Sequence, residues 1–535
     1  MTGAAGRAAT GRDALHGEVV RQIQARNWRD ADARCRELTA ADDSFAPGWL
    51  LASVIAQHLG EHQRALQLAE RAVAAAPDDP SVLLRLAQCL DGLRRRPEAL
   101  RAAAAAERAS GGNPRALAAI GLFYSAADEH FLSLAAYERA CRQAPDNARL
   151  LFSRAVLRKN VGRLEEAEAD YDRVLELDPK HYESYTNRSN LRTQTPDRNH
   201  VTALERLLAR GDADAGGEVQ LCHALAKEYA DLGRHTESWT LLERGARQRR
   251  RQLHYDVAAD LGTIDALIEA FPAGPGQPAA GAAADAPIFI VGLPRAGSTL
   301  VERILSSHSG LRAAGELRHF TLAIAAAARA QAGRDDPPMR QVIALSPQFD
   351  FAALGRDYLA RGRPAAGEAP RFIDKMPLNY LYCGLIRRAL PNARIVHVAR
   401  TPAAACYAVY KMLFLDGYPF SYDLDELAQY YIAYRRLMDH WQRTMPGVIH
   451  ELSYERLIAD QPGETRRLLD FCGLDWEDAC LDFHLNPAAS TSASAHQVRR
   501  PIYSSAVNEW RNYAAQLAGL RSRLEAAGIA VEAAG

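Results

Sequence analysis

Two glycines five residues apart, Gly292 and Gly297 in PIFIVGLPRAGSTLVERIL, have the spacing of a phosphate-binding loop, and Ser298 and Thr299 follow directly. Between a strand and a helix, such a loop turns backbone N–H groups and the positive helix end towards an anion. The nucleotide-hydrolysing version carries a lysine after the second glycine, which handles a β,γ-phosphate chain together with a magnesium-bound hydroxyl. Here Ser298 holds the lysine's position and the cation is Arg295, inside the loop. No aspartate pair is placed as a metal holder. The chemistry implied is metal-free binding of an anion whose far end is less charged than a triphosphate. Two further cations have comparable settings: Lys375 directly after RFID, and Arg400 directly after ARIVHVA. A cation at a strand end often does no more than pair with a carboxylate, as Lys375 would with Asp374. Three of them at equivalent strand ends point instead to a multiply charged ligand.

For these cations to share one rim, the runs before them must be parallel strands. IFIV (288–291) is a short continuous apolar run, as in a strand buried on both faces. RFIDK near 371, ARIVHVAR (393–400) and GVIHEL near 447 are further strand candidates. Each precedes a helical pattern: STLVERILSSH, about Pro377 to Leu390, PAAACYAVYKMLF, and SYERLI with ETRRLLDFCGL. Strands alternating with helices predict a parallel α/β sheet that binds ligand at the strands' C-terminal ends.

The first half of the chain is built differently. Pro145 and Pro179 lie 34 residues apart, Pro77 lies twice that before Pro145, and SGGNP around Gly111 marks the midpoint. That period is the length of a tetratricopeptide repeat, two antiparallel helices per unit. Small residues recur at the same period, as Ser53, Ala87, Gly121 and Ala155 in the first helices. In the second helices they are Ala31, Ala65, Ala99, Ser133 and Ala167. These mark where paired helices must touch. Five repeats are predicted from residue 12 to 181, with a degenerate sixth opening at Tyr182, so that 12–198 form an all-α solenoid. Such an array offers an extended surface for a peptide or partner, or acts as a spacer. Residues 199–270 keep a helical period without the repeat and read as a helical bridge, with RQRRR (247–251) on a solvated face. The Pro-, Gly- and Ala-rich stretch 271–286 reads as a flexible linker, followed by the α/β domain at 287–520 and a tail at 521–535.

Composition narrows the function classes. With 65 basic and 65 acidic residues the chain has no broad field for nucleic acid or an anionic membrane. Eight cysteines without a C-x-x-C pair argue against a disulfide framework and a zinc site, and suit a reducing compartment. No signal-peptide pattern and no long apolar span stand out, so a cytoplasmic protein is expected. Oligomeric state is left open, a homodimer being one arrangement the sequence allows.

FIVGLPRAGSTLVERIL together with DKMPLNYLYCGLIRRALPNARIVHVARTP resembles the sulfotransferases, which move a sulfuryl group from 3′-phosphoadenosine 5′-phosphosulfate (PAPS). PRAGSTLVERILSSHSGLRAAGE is more narrowly similar to the tyrosylprotein sulfotransferases and to bacterial fusions of tetratricopeptide repeats with such a domain; the resemblance covers about 287–520. It implies that Pro294, Arg295, Ala296, Gly297, Ser298 and Thr299 cradle the 5′-phosphosulfate, with Arg295 also bracing the sulfuryl group. Glu316, in AAGELRHF, matches the general base, which a phenol of pKa about 10 requires. His308 and His319 are the alternatives. Lys375 matches the lysine on the bridging oxygen, Arg400 the grip on the 3′-phosphate, and Tyr454 the tyrosine beside the adenine. In the closing segment, Ser494 is expected at the sulfuryl end. Arg499 and Arg500 are expected at the 3′-phosphate, where one of the two suffices. Two positions depart from the family pattern. Thr401 replaces an aspartate, and Ala408 replaces a serine, leaving Tyr410 and Lys411 as candidates to compensate.

The implied function is sulfuryl transfer from PAPS to a hydroxyl of a protein or peptide, a tyrosine above all, bound with help from the repeats. Two alternatives stay open: a carbohydrate, lipid or small-metabolite acceptor, and a non-catalytic repeat scaffold whose sulfotransferase domain has decayed. A nucleotide kinase is disfavoured by the missing loop lysine.

Overall fold

A computed structural model describes residues 2–272, 287–334, 337–366, 369–489 and 497–532. The chain divides into two compact units, Met1–Leu177 and Asp178–Gly535. Helices of the first unit pair into hairpins, from Thr2–Gln24 with Trp28–Ala41 to Ala148–Val161 with Leu164–Leu177. The 34-residue period sets the helix starts. Asp79, Asn113 and Asn147 each cap a helix by accepting backbone N–H groups of its first turn, and Pro80 and Pro114 follow two of them. Both devices satisfy or remove donors that a helix start leaves unpaired. The predicted contact positions are closed: Ser53, Ala87, Ala155, Ala31, Ala99, Ser133 and Ala167 are all fully buried. At Gly121 a Cβ would stand 2.7 Å from the Tyr137 ring, so only glycine lets these helices approach so closely.

The second unit begins with helices and continues into the sheet. Helices Ala215–Asp231 and His235–Arg251 form a hairpin of the repeat type. In it Ser238 Oγ donates to the Ala226 carbonyl at 2.7 Å, as Ser133 donates to Gly121 at 2.7 Å in the repeats. The sequence reading made 199–270 a bridge apart from the α/β domain, but these helices share its core. Trp239 stacks on Tyr410 and packs against Tyr513, while Arg250 makes two 2.7 Å bonds to Glu426. Arg249 bonds Asp416 at 2.6 Å, so two arginines of RQRRR dock the helix instead of facing solvent alone. Most of the predicted linker, residues 273–286, lies outside the described residues. The stretch 521–535, read as a tail, is docked in its described part: helix Ala518–Ala526 buries Leu520 and Leu524, and Val531 is buried beyond it.

Five parallel strands make the sheet: β1 (Ile288–Val291), β2 (Leu311–Ala313), β3 (Arg371–Asp374), β4 (Arg394–Ala399) and β5 (Ile449–Ser453), in the order β2-β3-β1-β4-β5. All four residues of β1 are buried, as its unbroken apolar run predicts. Strand β2 is too short and polar to have been anticipated from LRA; its pairing with β3 creates it. The chain runs from β1 to one side of the sheet and then crosses to the other. Loops leaving β1 and β4 therefore diverge, and a crevice opens at the strands' C-terminal ends.

Candidate functional site

The glycine loop leaves β1 in a conformation few residues adopt. Gly292 has φ 145°, and a Cβ there would fall 2.5 Å from the Val398 carbonyl oxygen of the neighbouring strand. Gly297 has φ 108° and lies against the Tyr454 ring, which a Cβ would meet at 2.5 Å. Between them Arg295 holds φ 66°, a left-handed conformation that costs a non-glycine residue about 1 kcal/mol or more. Helix Ser298–Ser306 starts at once, and Gly297 brings no capping side chain. The first turn therefore presents main-chain donors to the cleft.

Strand β3 delivers the next group. Lys375 is buried, its N–H bonds the Gly315 carbonyl at 2.9 Å, and its ammonium pairs with the Glu316 carboxylate. The carboxylate Lys375 meets is that of Glu316 and not that of its neighbour Asp374. Asp374 lies deeper: its carboxylate accepts from the Tyr358 hydroxyl at 2.8 Å, and burial raises its pKa to about 7. Tyr358 and the Leu317 N–H pull that value down, and Glu302 pushes it up. The β3 end thus pins the 315–317 turn from two sides and leaves the exposed Glu316 carboxylate facing the cleft.

Strands β4 and β5 supply the far end. Arg400 donates to the Ala506 carbonyl, lies 5.1 Å from the centroid of the Tyr454 ring, and buries Nε without a partner among the described residues. Thr401 offers its N–H and its hydroxyl to Glu455 at 3.0 and 3.1 Å. The residue that departs from the family pattern therefore still fixes the turn after β4. Burial depresses the Arg295 pKa and the nearby Arg400 depresses it further, opposed by Tyr503, Glu509 and Tyr454. Two cations that repel each other in a half-buried site call for an anion between them.

Pro294, Arg295, Gly297, Ser298, Thr299 and Glu316 line one cleft of about 350 Å³, a size suited to a small molecule. Arg400, Tyr454 and Arg500 line the same cleft. Ala296 is buried beneath it and brings only backbone, and Lys375 reaches it through Glu316. Arg499 does not line it; it donates to the Ala488 carbonyl at 3.4 Å, so of the two arginines Arg500 is the one at the site. Ser494 lies outside the described residues. His308 is buried, bonding the Asp475 carbonyl and the Gly310 N–H, and is turned into the packing. Sequence reasoning missed Tyr418, Tyr503 and Glu509, which also line the cleft. They lie outside the strand-loop motifs, and no spacing rule connects them to it. Among the described residues no His, Cys, Asp and Glu group is arranged to hold a metal, and no helix is long and apolar enough to cross a membrane. All eight cysteines are buried free thiols.

A parallel sheet, a glycine loop before a helix and cations after three of the strands, Arg295, Lys375 and Arg400, make an α/β domain of P-loop-like build. Residues 287–478 match the sulfotransferase family, and residues 46–89 and 148–181 match tetratricopeptide repeats. The chain therefore joins tetratricopeptide repeats to a sulfotransferase-family domain. It is 28% identical over 366 residues to an uncharacterized protein of Aquifex aeolicus (66% of this chain, 47% of that one). It is 26% identical over 230 residues to a putative protein-tyrosine sulfotransferase of Caenorhabditis briggsae (42% of this chain, 80% of that one). With the protein-tyrosine sulfotransferase of Drosophila melanogaster it shares 25% identity over 254 residues (42% of this chain, 46% of that one). The chain thus spans about half the length of two of these three relatives.

Proposed function

We propose that this protein transfers a sulfuryl group from PAPS to an acceptor hydroxyl, and that the acceptor is a tyrosine of a protein or peptide. The observation that carries the reading is the set Arg295, Glu316 and Arg400, which line one cleft from loops after different strands, with Lys375 buried behind Glu316. The residues fit a nucleotide with phosphate at both ends. Positive φ at Gly292, Arg295 and Gly297 turns the loop into a helix N-terminus, and Arg400, at the other end, buries an Nε without a partner among the described residues. PAPS supplies the sulfuryl group. Arg295 and the loop N–H groups hold its 5′ end, and Arg400 with Arg500 holds the 3′-phosphate. Tyr454, standing between the two ends, flanks the base.

Glu316 then removes the acceptor proton as its oxygen bonds to sulfur. To do so it exchanges its contact with Lys375 for one with the hydroxyl, which frees the ammonium to meet charge developing on the bridging oxygen. Ser494, beyond the described residues, would belong to the sulfuryl end. The relatives named for protein-tyrosine sulfotransfer support the tyrosine acceptor. The repeats support a protein one: Leu122 and Phe131, on the paired helices Pro114–Ala126 and His130–Gln143, are 65% and 60% exposed. A cytoplasmic location and a homodimer remain part of this reading.

The test is calorimetry with adenosine 3′,5′-bisphosphate, followed by transfer from labelled PAPS to tyrosine peptides, sugars and small phenols. Binding with transfer to tyrosine supports the proposal. Binding with transfer only to sugars or metabolites replaces the acceptor, and absence of binding makes the chain a scaffold.

A further inference from the structure

A phosphate dianion at the Arg400 end has more acceptor sites than the two guanidiniums of Arg400 and Arg500 occupy. The nearby wall of helix Pro402–Tyr410 is poor in donors. Ala408 presents a methyl to the cleft, and Thr401 is tied to Glu455. Tyr410 turns away, stacked on Trp239 at 5.3 Å and buried in the core. One turn beyond Ala408, Lys411 lines the cleft. Its ammonium bonds both oxygens of Glu509, at 2.6 and 2.5 Å, and stands 5.1 Å from the centroid of the Tyr407 ring. Glu509 lies one turn past Ala506, whose carbonyl accepts from Arg400.

We infer that Lys411 joins Arg400 and Arg500 as a further phosphate-binding cation of this cleft, and that Glu509 is the carboxylate an incoming phosphate displaces from it. The inference rests on the PAPS-type donor proposed above. A phosphate dianion between Arg400 and Lys411 brings two negative charges where Glu509 brings one, so the exchange favours the ligand. Burial depresses the Lys411 pKa, the contact with Glu509 raises it, and Arg295 and Arg400 depress it further. Displacement also bears on the segment Glu509–Tyr513, which stays anchored by Tyr513 stacked on Tyr407 at 4.8 Å.

The test is calorimetry of the full chain and of Lys411→Met, Lys411→Arg and Glu509→Gln, with adenosine 3′,5′-bisphosphate and adenosine 5′-phosphate as probes. Lys411→Met should weaken the bisphosphate by about tenfold or more and leave the monophosphate within about twofold, while Lys411→Arg keeps most of the difference. Glu509→Gln should strengthen the bisphosphate alone, because it removes the competitor. Lys411→Met losing nothing, or losing equally for both probes, overturns the inference while the donor reading stands. So does Glu509→Gln weakening the bisphosphate, since the pair would then be a structural tie. A wild-type chain that binds neither probe overturns the donor reading, and this inference with it.

Discussion

The two units of this chain put glycine and buried polar groups to different uses. In the repeats, Gly121 removes a side chain so that two helices can touch, and Ser53 and Ser133 spend their hydroxyls on carbonyls across the hairpin. At the strand ends, Gly292 and Gly297 hold φ of 145° and 108° and clear the Val398 carbonyl and the Tyr454 ring, so that the loop can turn, and Arg400 buries an Nε without a partner among the described residues. Satisfied polar groups make a packing device. Unsatisfied ones, gathered with like charges, make a binding site, because burying them costs free energy that only a ligand returns. Arg158 in the repeats also buries an Nε without a partner among the described residues, but its guanidinium is paired with Asp170 and Glu166, so the gathering of like charges is what marks the site.

Glu316→Gln gives the largest expected break in that comparison. It keeps shape but loses basicity, so turnover should fall by about a hundredfold or more. Affinity for adenosine 3′,5′-bisphosphate should survive, as the loop and Arg400 are untouched. A variant that still turns over at the wild-type rate would remove Glu316 from the base role.

Next in size is a pH effect from Asp374, the buried group beside the site. Its folded pKa of about 7 stands above its ordinary value of 3.8. Between these values the folded chain keeps a proton that the unfolded chain has released. The stability that Asp374 itself contributes should therefore be fully present below about pH 4 and be lost as pH rises towards 7, by at most about 1.4 kcal/mol per unit. Chemical denaturation of the wild type and of Asp374→Asn across that window should show a flatter curve for the variant. Parallel curves would mean that Asp374 is ionised in the fold.

Arg400→Ala should weaken adenosine 3′,5′-bisphosphate by about 2 kcal/mol, the scale of a charge-assisted contact, and barely touch adenosine 5′-phosphate. Equal losses for both would show that Arg400 does not read the 3′-phosphate.

What the sequence made legible follows the same division. The repeats repeat, so one 34-residue period predicted positions such as Ala31 and Ala167 without any knowledge of partners. The strand-end cations were legible too, because Lys375 and Arg400 each follow a strand-like run directly and Arg295 sits in the glycine loop after another. The Lys375 partner was not: Glu316 is 59 residues away and meets it only through the pairing of β2 with β3. Glu509 is farther still, brought to Lys411 by a segment whose own spacing carries no phosphate signature. The docking of helices 215–251 was hidden for another reason. A change of composition at 271–286 reads as a boundary, yet Trp239 crosses it to reach Tyr410.

The smallest expected effect tests the repeat side alone. Gly121→Ala would put a Cβ 2.7 and 2.8 Å from two atoms of the Tyr137 ring. Overpacking of that kind costs about 1–3 kcal/mol, while alanine in place of a helical glycine recovers about 1 kcal/mol of propensity. The ring is a side chain and partly gives way, so a net loss of about 1 kcal/mol is expected, read as a lowered melting temperature. Affinity for adenosine 3′,5′-bisphosphate should be unchanged, since Gly121 shapes a helix contact and no ligand. A stabilised variant would mean that Tyr137 swings aside freely and that the contact is not close-packed. A variant that binds the nucleotide more weakly would break the comparison itself, by making a packing glycine part of the site.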